Sequence, residues 1–164
     1  MSRRRRSYEA GHKPKLLVVI DDTKECDRAV YFASRRAARI GGGVVMLHVN
    51  EMEGESQQWL GVADIMRAEA HEAADAQLKK YARRAKRIAG ITAEKVVRDG
   101  DKAEEILKVI DEDEDIFILV LGASTGSEGP GPLVTTIGRT AGDYPIPVAM
   151  VPGHLTDEEI DALS

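Results

Sequence analysis

The chain has a single cysteine, Cys26, so it cannot form an internal disulfide. Disulfides belong to oxidising compartments, whereas a lone cysteine suits a reducing one. No apolar run is long enough to span a membrane, and the run after the N-terminal arginines, Leu16–Ile20, is too short for a secretion signal. We therefore expect a cytoplasmic protein without membrane insertion.

The motifs of common hydrolases and metal sites are absent as well. The four histidines have no metal-ligand spacing, HExxH does not occur, and there is neither a Walker lysine nor a nucleophile elbow. His48 lies inside the apolar stretch Leu47–Val49 and is interpreted as a hydrogen-bonded histidine at a strand end. The sequence predicts no dedicated enzyme.

Length and composition favour one domain. With 164 residues, of which 43% are hydrophobic and 31% charged, the chain can bury a sizeable core. The net charge of −5 argues against stable nucleic-acid binding. Residues 1–14 include the basic run Arg3–Arg6 and are interpreted as a mobile tail, for which weak contact with anionic membrane or RNA is left open.

Hydrophobic periodicity predicts strands and helices in alternation. The predicted strands are Lys15–Ile20, Val44–Val49, Glu94–Arg98, Ile116–Leu121 and Ile146–Val151. The predicted helices are Lys24–Ile40, about Ala63 to Ala89, Lys102–Ile110, Leu133–Ala141 and a short last helix within 154–164. Thr23 is the expected N-cap of the first helix, and Thr156 and Glu159 have the spacing of a capping box at the start of the last. The acidic stretch Asp111–Asp115 is interpreted as a solvated helix end. This alternation indicates an α/β fold with a parallel sheet and helices on both faces.

A glycine-rich turn joins the fourth strand to the fourth helix. It begins at Gly122, contains the run Gly129–Pro132 and leads to Gly138. Backbone N–H groups in such a turn can surround phosphate oxygens, and the positive end of the next helix dipole favours an anion. The turn therefore indicates a phosphate site, although glycine clusters also occur in ordinary loops.

Four segments, in this order, resemble the universal stress protein family. They are Leu16–Thr23, Val44–Val49, Val97–Ala103 and the turn from Leu121 onward. The resemblance implies one domain over residues 15–153, with an open five-stranded parallel sheet of order 3-2-1-4-5 that is Rossmann-like and similar to the adenine nucleotide alpha hydrolases. It also implies a role in stress response, a homodimer and, in some members, a bound adenine nucleotide (ATP, ADP or AMP). The Gly-Pro-Gly-Pro loop looks like that of a bacterial subgroup.

The resemblance also implies a nucleotide site between strands one and four, where the connections of such a sheet switch sides. Asp21 and Val49 would lie near adenine or ribose, and Gly122, Gly126 and Gly138 near ribose and phosphates. Further phosphate contacts are expected from Ser124, Thr125, Ser127, Arg139 and Thr140. Two plainer interpretations stay open, because Asp21 can serve its own turn or cap a helix, and the glycines can serve backbone geometry alone.

The loop departs from the pattern of nucleotide-binding relatives. The interval from Gly122 to Gly138 is longer, and the hydroxyl expected after the last glycine is displaced to Thr140. Glu128 adds a negative charge, no lysine lies between Gly122 and Gly138, and Arg139 is the nearby cation. We therefore expect a monophosphate to bind better than a triphosphate, with or without magnesium, and slow ATP hydrolysis stays open.

Two other functions are compatible with parts of the sequence. The pair Asp21-Asp22 resembles that of a phospho-receiver, but Met150–Gly153 lacks the lysine that such a protein needs after its last strand. The stronger alternative is a dimeric stress-response scaffold that binds no nucleotide and acts through protein partners. Trp59 would then pack on the body or contact a partner.

The last strand is predicted to form the dimer interface. Ile146–Val151 is short and apolar, and an unprotected edge of this type pairs with another chain. Pro145 and Pro147 restrict the pairing to defined positions. A symmetric pair through this edge would bury Val148 and Met150.

Overall fold

In the computed structural model, which describes residues 4–51 and 60–164, five parallel strands form one sheet of order β3-β2-β1-β4-β5. The strands are β1 Lys15–Val19, β2 Gly43–Asn50, β3 Glu94–Asp99, β4 Ile116–Ala123 and β5 Val148–Pro152. The helices are α1 Cys26–Ile40, α2 Leu60–Ala89, α3 Lys102–Glu112, α4 Pro132–Thr140 and α5 Asp157–Leu163, with a 3-10 turn at Ala141–Asp143. The predicted fold class and strand order are confirmed. The predictions for Trp59 and for Arg3 lie outside the described residues.

The central strand β1 is buried on both faces, which explains its continuous apolar sequence. Leu16 and Val18 pack into the layer formed with α1, α2 and α5, while Leu17 and Val19 pack into the layer formed with α3 and α4. All four side chains are at most 4% exposed. Each contributes about 1.5–3 kcal/mol of hydrophobic stabilisation, and the two layers hold the strand ends at fixed positions.

The long helix α2 packs on the sheet through one stripe of side chains. Ala74, Leu78, Tyr81 and Ala85 are buried at helical spacing, and most exposed side chains of α2 from Arg67 onward are polar, the others being alanines. The helix ends at Gly90, whose φ of 68° is a left-handed conformation that favours glycine. Across residues 4–51 and 60–164, no helix has the length and apolar character needed to cross a membrane.

Helix α1 begins later than the sequence predicts. Thr23 was the expected N-cap, but its backbone N–H and its hydroxyl both donate to the Asp21 carboxylate. The helix starts after Glu25, which makes no side-chain capping bond. It ends as expected at Gly41, with a φ of 68° and its N–H directed to Ala37 and Ala38.

The basic N-terminal segment contacts the body of the protein, whereas the sequence predicts a mobile tail over residues 1–14. The Arg5 guanidinium donates to the carbonyl oxygens of Ile110, Asp113 and Ile116, at 2.7, 2.9 and 3.3 Å. Ile110 lies in the last turn of α3 and Asp113 follows the helix, where backbone acceptors lack helical partners, and Ile116 begins β4. Arg5 therefore completes the hydrogen bonding of the α3–β4 turn.

The acidic turn after α3 also holds the N-terminal segment, so its interpretation as a solvated helix end needs correction. His12 Nδ1 lies 2.6 Å from an Asp115 carboxylate oxygen, and Lys15 Nζ lies 2.9 Å from one of Asp113. Further along, strand β5 starts at Val148 rather than at the predicted Ile146. Pro147 has no N–H group for strand pairing, although Ile146 is still buried.

Candidate functional site

Two neighbouring clefts open at the carboxyl ends of the central strands. The first, of about 540 Å³, lies between the ends of β1 and β2 and helix α2. The second, of about 210 Å³, lies between the ends of β1 and β4 and the start of α4. Asp21, Asp22 and Lys102 line both. Because β1 and β4 flank the point where the strand order reverses, the clefts occupy the position where open parallel sheets bind ligands.

The first cleft has an apolar wall and a few polar groups. Val49 lines it from the end of β2 and is 3% exposed, so it also belongs to the core. The small side chains of Ala70 and Ala73 on α2 form the facing wall. Gln77 Nε2 donates to the Asp21 carbonyl oxygen at 2.6 Å, which fixes the distance between α2 and the end of β1.

Asp21 serves its own turn, one of the two plain interpretations left open by the sequence. Its Oδ1 accepts the Thr23 N–H at 2.9 Å and also the Thr23 hydroxyl. In the described part of the chain, no hydrogen bond reaches its Oδ2. The carboxylate is therefore oriented by the turn while one oxygen remains available at the junction of the two clefts.

His48 lines the first cleft and has a buried polar atom without a partner. Its Nδ1 is buried and has no hydrogen-bond partner among the described residues. Sequence reasoning expected a hydrogen-bonded histidine here, so this interpretation is corrected. Burial lowers the pKa of His48, and the nearby Lys102 ammonium lowers it further, against a smaller opposite effect of Asp21 and Asp22. The imidazole is thus neutral at neutral pH and presents an unsatisfied nitrogen.

The glycine-rich loop forms hydrogen bonds within itself. Ser124 N–H donates to the Pro130 carbonyl at 3.0 Å, and Gly126 N–H donates to Ser124 Oγ at 3.2 Å. Gly129 N–H donates to the Gly126 carbonyl at 3.2 Å. Three of the amides that could surround a phosphate are therefore already engaged. Thr125 and Ser127 are exposed on the same loop, and neither lines the two clefts.

Gly122 is required for packing. A Cβ at this position would lie 2.3 Å from the Glu25 carbonyl oxygen, a distance that no side chain tolerates. The Glu25 side chain itself lines the second cleft, and its Oε1 lies 3.9 Å from the Cβ position of Gly131 at the start of α4. A carboxylate thus lies near the helix end where an anion would be stabilised.

The end of α4 points away from the clefts. Pro132 lines the second cleft, and Gly138 lies roughly 9 Å further along the helix at 1.5 Å per residue. Gly138, Arg139 and Thr140 are exposed, and the structure does not bring them together with Asp21. Thr140 Oγ1 instead donates to a carbonyl oxygen of its own helix.

The cation of the site is Lys102, which the sequence interpretation missed. It begins α3 directly after β3, so its position follows from the rule that the carboxyl ends of parallel strands meet at one edge. The sequence pattern near the glycine-rich turn indicates only Arg139 as a cation. The sequence interpretation also missed Glu25, because Glu25 lies at the start of α1, far along the chain from the glycine-rich turn.

The described residues of the site offer neither a preformed metal site nor a reactive thiol. Within the described ranges, no three His, Cys, Asp or Glu side chains converge to hold a metal ion. Magnesium would therefore need ligand oxygens of a bound phosphate. Cys26 lines the second cleft, but burial raises the pKa of its thiol to about 12, so it stays protonated and unreactive.

The fold and the position of the clefts define a Rossmann-like α/β protein with two clefts at its topological switch point. The sequence matches the model of the Universal stress protein family over residues 14–152. The chain therefore belongs to the universal stress protein family. No curated protein matches the sequence.

Solved structures show the same fold at low sequence identity. The universal stress protein UspA from Lactobacillus plantarum is 20% identical, with a TM-score of 0.70 over 85% of this chain and 97% of its own. A universal stress protein in complex with cAMP is 16% identical, with a TM-score of 0.61 over 86% and 98%. The universal stress protein from Archaeoglobus fulgidus in complex with dAMP is 19% identical, with a TM-score of 0.57 over 85% and 98%.

Proposed function

We propose that this protein binds an adenine nucleotide, with the nucleoside in the first cleft and one phosphate at Lys102. The observation that carries the proposal is the junction of the two clefts, which Asp21, with one carboxylate oxygen free, and Lys102 both line, while His48 lines the first cleft. An apolar cleft with few polar groups of this type suits a planar base and a ribose. Two proteins of the same fold have been solved with cAMP and dAMP, which supports an adenine mononucleotide.

The charge of the site favours a single phosphate group. Among the described residues, five carboxylates line the clefts or the adjoining surface of the glycine-rich loop, against the one ammonium of Lys102: those of Asp21, Asp22, Glu25, Glu51 and Glu128. Each added phosphate brings a further negative charge toward these carboxylates. The expected order of affinity is therefore AMP above ADP above ATP.

The protein acts by binding rather than by catalysis in this proposal. Hydrolysis needs a base that activates water next to the phosphate. The described residues around Lys102 offer carboxylates that are engaged elsewhere or repel the phosphate, and a histidine on the nucleoside side. A nucleotide-dependent regulatory role in stress response follows, in the cytoplasm and as a homodimer joined through β5.

The test is isothermal titration of nucleotide-stripped protein with adenosine, AMP, ADP and ATP, each with and without magnesium. Lys102→Gln is expected to weaken AMP binding about tenfold and to leave adenosine binding nearly unchanged, because it removes only the phosphate contact. Glu25→Gln is expected to improve ADP and ATP binding relative to AMP.

Lys24→Gln is the matched control, since Lys24 is an exposed cation near the same turn that lines neither cleft. It is expected to leave the affinity for AMP unchanged. Absence of heat for all four ligands would reject the proposal. A dimeric scaffold that acts through protein partners would then be the better proposal. The hydrogen bonds that the glycine-rich loop forms within itself agree with that role.

A further inference from the structure

A basic groove lies beside the second half of α2, at the amino end of β3 and away from the two clefts. It has a volume of about 360 Å³. Four cations surround a largely apolar floor: Lys79, Arg83, Lys86 and Lys95, with Ala82 and Ile91. No carboxylate of the described residues lines it, although the whole chain carries a net charge of −5. The groove therefore concentrates positive charge on an otherwise acidic protein.

Contacts within the protein do not explain this concentration. A helix dipole favours cations only in the last turn of the helix, which in α2 contains Lys86 and Arg87, whereas Lys79 and Arg83 lie before it. Lys79 pairs with the exposed Asp75, whose carboxylate also attracts Lys95 at longer range, but within the described ranges Arg83 makes no ion pair or hydrogen bond. Like charges at Lys79 and Arg83, one turn apart, destabilise the helix. A negatively charged partner would relieve this repulsion.

The groove reaches an open sheet edge at the start of β3, where Lys95 lines it. Strand β3 pairs only with β2 among the described strands, so every second residue directs its backbone N–H and C=O away from the sheet. Ala93 and Val97 pack toward the α2 side, and Lys95 lies between them on the same face. An added strand would therefore place alternate side chains against α2.

We infer that this edge binds an extended segment of another protein in which acidic and apolar residues alternate. The segment would pair with the free edge of β3, as in other cases of strand addition. Alternate side chains on one face of a strand are about 6.6–6.8 Å apart, close to the roughly 6 Å rise from Lys79 to Arg83. Its carboxylates would meet the cations of α2.

A second copy of this chain and a nucleic acid fit less well. In a symmetric pair through β3, each cation would face its own copy across the axis, which is repulsive. Single-stranded nucleic acids bind through aromatic side chains on which bases stack. In the part of the chain that the structure describes, no aromatic side chain lines the groove. An acidic peptide strand would attract the cations of the groove and needs no aromatic side chain to bind.

The probe is a fluorescent peptide of about eight residues that alternates Glu and Val, a typical strand length. Its binding to the full chain is measured by fluorescence anisotropy at low and high salt. We expect saturable binding that weakens with salt. Arg83→Glu and Lys95→Glu should each weaken it about tenfold, because each reverses a charge that faces the peptide.

Arg67→Glu is the matched control, because it makes the same charge change on an exposed residue of α2 outside the groove. It should change the affinity less than about twofold. A peptide with N-methyl groups on alternate residues keeps the charges but loses the pairing N–H groups, and it should bind about tenfold more weakly.

Three results would overturn the inference. They are an unchanged peptide affinity in Arg83→Glu and Lys95→Glu, equal binding of the N-methylated peptide, or tighter binding of an oligothymidine of the same length. The milder variants Arg83→Gln and Lys95→Gln repeat the test should a reversed charge disturb folding. None of these residues lines the nucleotide clefts, so the outcome does not depend on AMP binding.

Discussion

Gly122 and Gly138 belong to the same predicted phosphate loop, yet they have opposite surroundings. The Cβ position of Gly122 lies against the backbone of Glu25, at 2.3 Å from its carbonyl oxygen. The Cβ position of Gly138 has no atom within 4 Å. One glycine is required by close backbone contact, and the other is a helix residue without a packing role.

Alanine substitutions should therefore have opposite effects at the two positions. Gly122→Ala is expected to lower the free energy of unfolding by about 2 kcal/mol or more, because the backbone must shift to admit a methyl group. Gly138→Ala is expected to raise it by about 0.5–1 kcal/mol, since alanine favours a helix. Urea denaturation of both variants measures the difference. Equal destabilisation would contradict the packing described here.

Asp27 joins the two helices that cover one face of the sheet. Arg84 of α2 donates Nε and Nη2 to its two carboxylate oxygens, and Arg28 donates to Oδ2 at 2.6 Å. Burial alone would raise the pKa of Asp27, but the hydrogen bonds from the two arginines outweigh it and hold the pKa below its ordinary value of 3.8. The folded protein thus binds a proton here less readily than the unfolded chain.

Asp27→Asn should lower the free energy of unfolding by about 1–3 kcal/mol at neutral pH, since two guanidinium groups lose a charged acceptor. A lowered carboxyl pKa contributes stability above the ordinary value and loses it as the pH falls through the folded value. The difference in the free energy of unfolding between the wild type and the variant should therefore become smaller below about pH 4. Denaturation at several pH values measures it. Asp75→Asn, which breaks an exposed pair, serves as the control and should show no clear change.

Sequence patterns could not identify the cation and the carboxylate that dominate the site. Lys102 and Glu25 lie far from the glycine-rich turn in the chain and reach it only through the order of the strands. Asp21 and Val49, in contrast, end strands whose positions follow from hydrophobic periodicity. The sequence therefore predicts where the clefts lie better than it predicts their charge.

At the scale of elements, the interiors of strands and helices followed from periodicity, while several ends depended on tertiary contacts. The capping box of Thr156 and Glu159 is formed as predicted, because both bonds are local. The start of α1 was misplaced because Thr23 bonds to Asp21. The N-terminal segment was interpreted as mobile because the carbonyls that Arg5 binds lie far along the chain.

The contact of Arg5 with the α3–β4 turn can be tested directly. Arg5→Ala is expected to lower the free energy of unfolding by about 1–2 kcal/mol, since three carbonyl oxygens lose a charged donor. Hydrogen exchange should accelerate in the turn around Asp113. Arg6 is an exposed neighbour that pairs with Glu9, and Arg6→Ala should change neither the free energy of unfolding nor the hydrogen exchange of the turn. Unchanged exchange in Arg5→Ala would show that the segment does not hold the turn.

At the scale of the whole molecule, the two edges of the sheet differ in charge. Strand β5 carries no charged residue, and Met150 on it is 41% exposed. Strand β3, at the other edge, lies beside the basic groove. The uncharged edge suits pairing with a second copy, which is why the proposed homodimer is placed there.

If the proposed homodimer forms through β5, Met150→Arg and Val148→Arg are each expected to convert it into a monomer, because each puts a charge opposite its own copy in a symmetric interface. Sedimentation analysis measures the mass in solution. Lys95→Glu, on the opposite edge, should leave the mass at that of a dimer. A dimer that survives both arginine variants would place the interface elsewhere.

Because β3 and β5 form opposite edges of the sheet, a dimer joined at β5 would hold its two basic grooves far apart. The two basic grooves would then lie at the far ends of one continuous sheet, roughly 40 Å apart at about 4.8 Å per strand. A ligand with two acidic segments at that spacing would bind with avidity, through the high effective concentration of its second segment. Dissociation into monomers would abolish this bivalence without altering either groove.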